Sequence, residues 1–171
     1  MIGRMKKLYA AILVALAAMV LAAVPAFAAV TFDPNTGIGF AGKGDVQTAL
    51  GWNNQQLQQN ADQVQFQAIN VSEQTWECTN PNNEHIQQRL DTTTQQQVVD
   101  STARVKNQVT GFNLNGYTGE PTIISQAGPP LNSCPSGWTL TQPAGNPVVV
   151  SSTLQVSGDN GSTWVDLLTI S

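Results

Sequence analysis

Histidine is almost missing from this chain: His85 is the only one among 171 residues. Any Ser-His-Asp or Cys-His arrangement would have to use it. It sits between Glu84 and Ile86 after an Asn-rich turn, and no G-x-S-x-G nucleophile elbow accompanies it. A zinc site of the usual kind wants three or four His or Cys ligands, so no resident metal is expected. Charge is scarce as well, at 11% of residues. The deficit is on the basic side: beyond residue 28, four bases (Lys43, Arg89, Arg104, Lys106) stand against eleven acids, a net charge of −7. Phosphate backbones and anionic lipid both need a basic patch, so neither nucleic acid nor a membrane surface is an expected partner. With 41% apolar residues the chain can still bury one sizeable core.

The one long apolar run lies at the start. Arg4, Lys6 and Lys7 precede Leu8 to Val24, Pro25 ends the run, and Ala26-Phe27-Ala28 has the small-x-small form that a signal peptidase cleaves. Residues 1–28 therefore read as a secretory signal peptide cut after Ala28, and the run is short for a membrane span. The expected destination is extracellular or periplasmic. In that oxidising setting Cys78 and Cys134, the only cysteines, are expected to form one disulfide.

Alternation of period two dominates from residue 63. Val64, Phe66 and Ala68 interleave with Gln63, Gln65 and Gln67, the pattern of a strand with one buried and one wet face. Ala103, Val105, Asn107 and Val109 alternate again, and Phe112 and Leu114 lead into an expected Asn115-Gly116 turn. Further strands are expected over 122–125, 147–156 and 163–170. Seven or eight short strands of this kind predict a mainly β fold, a single β-sandwich-like domain over 63–171 with antiparallel hairpins. Before it, 29–62 reads as a glycine-rich, short helical or looped segment, with Asp45 and Asn54 as candidate helix caps and Gly51 between the two turns. Residues 127–146 carry four prolines and Cys134 and read as a long loop pinned by the disulfide.

Several motifs invite a function. Gly37-Ile38-Gly39-Phe40-Ala41-Gly42 satisfies G-x-G-x-x-G, and Gly37 to Lys43 satisfies G-x-x-x-x-G-K. Only Val30-Thr31-Phe32 precedes them, Pro34-Asn35 interrupts, and Gly44 stands where a P-loop needs Ser or Thr, so no nucleotide cofactor is expected. Ser157-Gly158-Asp159-Asn160-Gly161-Ser162-Thr163-Trp164 matches S-x-D-x-G-x-T-W and resembles the Asp box of sialidases over these eight residues. That resemblance implies a structural hairpin turn built on Ser157, Asp159, Gly161, Thr163 and Trp164, away from any catalytic centre. Gly42-Lys43-Gly44-Asp45-Val46-Gln47 followed by Gly51-Trp52-Asn53-Asn54 resembles a signature of uncharacterised secreted bacterial proteins of similar size. It implies no transferable activity.

The residues that remain for function are amides and tryptophans. Gln and Asn take the places where most surfaces carry Lys and Glu, and aromatic faces with amides suit sugar rings. Trp138, Trp164 and Trp52 are the candidate ligand-binding residues; Trp76, beside Cys78, is expected in the core, and Trp138 is expected to be exposed. Glu73 and Glu77 share one strand face and are the candidate acid pair for a small hydrolase. The leading expectation is a secreted, non-catalytic, extracellular or envelope-associated structural or binding protein. A glycan-binding module using exposed Trp and Gln/Asn is the second reading, and a hydrolase with paired carboxylates the third. The expected partner is extracellular polysaccharide or another envelope protein.

Overall fold

A computed structural model describes residues 30–171, so the signal-peptide reading lies outside the described residues. A short hairpin, β1 (Thr31–Asp33) and β2 (Ile38–Gly42), leads into α1 (Lys43–Leu50), α2 (Asn54–Asn60) and a 3-10 turn (Ala61–Gln63). Three long strands follow: β3 (Gln65–Thr79), β4 (His85–Val105) and β5 (Gln108–Ala127). The short β6 (Thr139–Gln142) and the hairpin β7 (Val148–Ser157) and β8 (Val165–Ile170) complete the chain. All pair antiparallel in one sheet of order β1-β2-β5-β4-β3-β7-β8, with β6 on the upper end of β3. The 21 residues of β4 extend about 70 Å, at roughly 3.3 Å per residue.

The fold is mainly β with antiparallel hairpins and one disulfide, as the alternation predicts. The second layer is supplied differently from a pair of packed sheets: one sheet curls on itself. The eight-residue α1 packs on β2 and β5 and also on β7 and β8. In a flat sheet β2 and β8 would lie about 24 Å apart, five strand spacings, which is more than the roughly 12 Å length of α1. Curling lets one short helix seal both ends. The described part of the N-terminal segment, 30–62, is accordingly part of the sheet, through β1 and β2, as well as its helical plug.

Local sequence explains these elements, with some departures from expectation. Asn53 caps α2 in a reciprocal box: its Oδ1 accepts from the Gln56 amide, and its own amide donates to Gln56 Oε1. The cap is thus Asn53 rather than Asn54. Asp45 lies inside the first turn of α1, whose N-cap is Gly42. Gly51 does separate the helices, in the left-handed region at φ 68°. The glycine motif at 37–42 is the turn and strand β2. A Cβ at Gly39 would collide with the Thr31 carbonyl, so hairpin packing explains that glycine. The β4–β5 reversal falls at Lys106-Asn107, both with positive φ (49° and 65°), the backbone of a two-residue hairpin turn. Asn115-Gly116 is no turn: β5 runs through it, and the pair sits in a register shift of the β4–β5 ladder, between Val98↔Tyr117 and Asp100↔Leu114.

Two cores lie on the inner face of the curl. Phe66, Ala68, Val98, Phe112, Leu114, Leu154 and Val156 meet Val46 and Leu57 from the helices. At the far end of the same strands Trp76, Cys78 and Leu90 pack under the 128–147 segment, held by the Cys78–Cys134 disulfide with Cα atoms 5.9 Å apart. Between them the inner face of β3 turns polar.

Candidate functional site

Of the tryptophans, Trp52 packs against the larger core, its ring against Gly158. Trp138 packs against the Trp76 and Cys134 cluster rather than standing free. Its neighbour Trp76 is buried and donates from Nε1 to the Ser133 carbonyl at 2.6 Å. Trp164 differs. Like Trp52 and Trp138 it is part-exposed, but it alone of the three lines a groove of about 490 Å³ on the outer face of the sheet, together with Gln65, Gln67, Gln95, Gln97 and Thr122.

The turn Ser157–Trp164 that carries Trp164 joins β7 to β8 and is held by its own polar groups. Ser157 Oγ donates to Asp159 Oδ1 (2.7 Å), the Thr163 amide to Asp159 Oδ1 (2.8 Å), and Thr163 Oγ1 to Asp159 Oδ2 (2.6 Å). Hydrogen bonds from Thr163 and Ser157 lower the Asp159 carboxyl to about 2. Asn160 and Gly161 supply the positive φ values. The Asn160 amide donates to the Gln63 carbonyl, which ties the turn to the 3-10 turn just before β3. Trp164 is thereby set beside the outer-face amides by a rigid turn.

Those amides are ordered. Gln95 Nε2 donates to Gln67 Oε1 (2.5 Å), Gln67 Nε2 to Gln155 Oε1 (2.7 Å), and Gln155 Nε2 to Asp166 Oδ1 (2.9 Å). The row crosses β4, β3, β7 and β8, at about 4.8 Å per strand. Gln65 and Gln97 stand beside it without belonging to it. Glu120 is the one charged side chain lining the groove. A part-exposed indole beside amides with N–H and C=O groups to offer suits a neutral, hydroxyl-rich ligand.

The candidate acid–base groups are arranged less favourably. Glu73 and Glu77 lie on the outer face with Thr75 between them, about 13 Å apart along the strand, beyond the separation of a glycosidase pair. His85 approaches both Glu77 Oε1 (3.0 Å) and Thr79 Oγ1 (3.1 Å), but through the same nitrogen, Nδ1. A relay needs the acid and the nucleophile on opposite ring nitrogens, so this trio does not form one.

Sequence reading placed amides on a wet face but missed Gln67, Gln95, Gln155 and Asp166 as one row. The repeated Gln-x-Gln spacing at 65/67 and 95/97 was the available signal; the pairing needs the register. No family model matches the chain, and no curated protein or solved structure is similar to it beyond chance.

Proposed function

We propose that this chain is a secreted, non-catalytic binding protein that holds neutral polysaccharide on the outer face of its sheet. The observation that carries the reading is the position of Trp164, fixed by its turn at one side of the ordered amide row. In this reading a sugar ring lays its C–H face on the indole, and its hydroxyls bond Gln65, Gln95 and Gln97. The low charge of the groove favours a neutral polymer over an anionic one, and the −7 net charge of residues 29–171 adds to that selection. The disulfide and the signal-like residues 1–28 support an extracellular or envelope location.

The test is affinity electrophoresis and calorimetry of the oxidised protein with cellulose, chitin, β-glucan and mannan. Trp164→Ala should weaken binding at least tenfold, about 1.4 kcal/mol, with unchanged circular dichroism, whereas Trp138→Phe should bind normally. Uniform lack of binding would remove the glycan reading and leave a structural or protein-binding role in the envelope.

A further inference from the structure

The inner face of β3 reads apolar, polar, apolar: Phe66 and Ala68, then Asn70, Ser72 and Gln74, then Trp76 and Cys78. Helices cover the first stretch and the disulfide-bound segment covers the last. The middle opens into a cleft of about 480 Å³, within the range of small-ligand sites, roughly 300–1,000 Å³. None of the side chains lining it is charged.

Its floor is fixed by a chain of hydrogen bonds. Ser152 Oγ donates to Asn70 Oδ1 (2.5 Å), Asn70 Nδ2 to the Tyr117 hydroxyl (3.0 Å), and that hydroxyl to the Pro34 carbonyl (2.7 Å). Burial pushes the Tyr117 hydroxyl above its ordinary pKa, which keeps it a donor. Among the described residues, one Asn70 N–H and one Tyr117 lone pair remain unused. Asn70 is only 6% exposed, so it is held in one orientation. Thr94 and Gln126 continue the polar floor, and Ile123 and Val149 stand on opposite sides.

We propose that this inner-face cleft is a second binding site, on the opposite side of the sheet from Trp164, that takes one or two neutral sugar rings. The absence of charged lining disfavours ionic ligands. The polar floor disfavours a purely apolar one. Peptides are captured in extended form mainly through main-chain pairing, but the floor's main-chain groups are already paired within the sheet. A pyranose fits both surfaces, with its hydroxyl edge on Asn70, Thr94 and Gln126 and its C–H faces against Ile123 and Val149. With polysaccharide on the outer face, a second site on the inner face would let one molecule join two glycan chains.

The test is an amide and side-chain NMR titration of the oxidised protein with cellobiose, chitobiose and mannobiose. At least one should shift the Asn70 side-chain amide and the Tyr117 and Thr94 backbone signals. Those shifts should persist in Trp164→Ala and vanish in Thr94→Phe, which fills the cleft. If Thr94→Phe does not fold, Gln126→Ala should weaken the same binding several-fold. Shifts confined to the surroundings of Trp164 overturn the inner site while leaving the outer-face reading intact. No shift with any of the three sugars, or cleft shifts produced instead by N-acetyl-tetraglycine amide, also overturns it.

Discussion

Gln155 donates through Nε2 to Asp166 Oδ1 at 2.9 Å, and this single contact sets the direction of a row of amides two strands away. An ionised carboxylate only accepts, so Gln155 must turn its N–H₂ toward β8 and its carbonyl toward Gln67. Gln67 must then donate to Gln155 and accept from Gln95. Asp166→Asn removes the constraint, because an Asn amide can donate or accept. The expected result is broadened or doubled Gln67 and Gln155 side-chain amide signals. The cost in stability should stay within about 0.5–1.5 kcal/mol, the worth of one hydrogen bond. Sharp, unshifted amide signals in the variant would show that the row holds its direction without Asp166.

The disulfide should hold one end of the molecule rather than all of it. Cys78 and Cys134 are 56 residues apart, and closing such a loop stabilises by about 4 kcal/mol on the chain-entropy account. The Cys78→Ser, Cys134→Ser double variant should lose this amount in denaturant titration. Amide exchange should accelerate first in β6 and around Leu90, with the Phe66 and Phe112 region protected longest, since the two cores are separate. Uniform loss of protection would mean that the cores open together.

Two carboxyls pull the pH dependence of stability in opposite directions. Burial pushes Asp100 up to about 6, against a partly offsetting backbone hydrogen bond. Between 3.8, its ordinary value, and about 6 the folded state binds more protons than the unfolded one, so stability falls as pH rises through that window. Asp159 is lowered to about 2, so its contribution is present above 3.8 and is lost as pH falls through about 2. Asp100→Asn should raise the melting temperature at pH 7 and leave it nearly unchanged at about pH 3.5, where the wild-type carboxyl is largely protonated in both states. Asp159→Asn should flatten the acid limb of the profile. A wild-type profile flat between pH 4 and 6 would contradict the Asp100 assignment.

The turn at Lys106-Asn107 places a lysine at φ 49°, a region that disfavours a residue with a Cβ. Lys106→Gly relieves that contact and should stabilise the protein by about 0.5–1 kcal/mol, net of the added freedom of the unfolded chain. Chemical denaturation measures this directly; a loss of stability would place the reversal elsewhere.

What could be read from the sequence was local. Alternation at residues 64–68 requires only that neighbouring side chains point to opposite faces, so the β character followed without knowing any partner. Two cysteines allow one pairing, and Asn160-Gly161 marks a turn because few dipeptides accept positive φ as readily. Asn115-Gly116 carried the same signal and misled. The reversal went to Lys106-Asn107, where the register lets Val109 and Phe112 enter the core. Trp138 likewise looked exposed among prolines, yet the disulfide-bound loop packs it against Trp76 and leaves it half-buried.

The sequence by itself determined strands, one disulfide and an amide-rich wet face, because backbone geometry and composition act within a few residues. Only the tertiary structure decided that the sheet curls around α1, that Gln95, Gln67, Gln155 and Asp166 form one row, and that Trp164 alone of the candidate tryptophans stands beside it. These relations join residues as much as 88 positions apart. They depend on strand register and sheet curvature, which arise from burying many side chains together and from no local pattern.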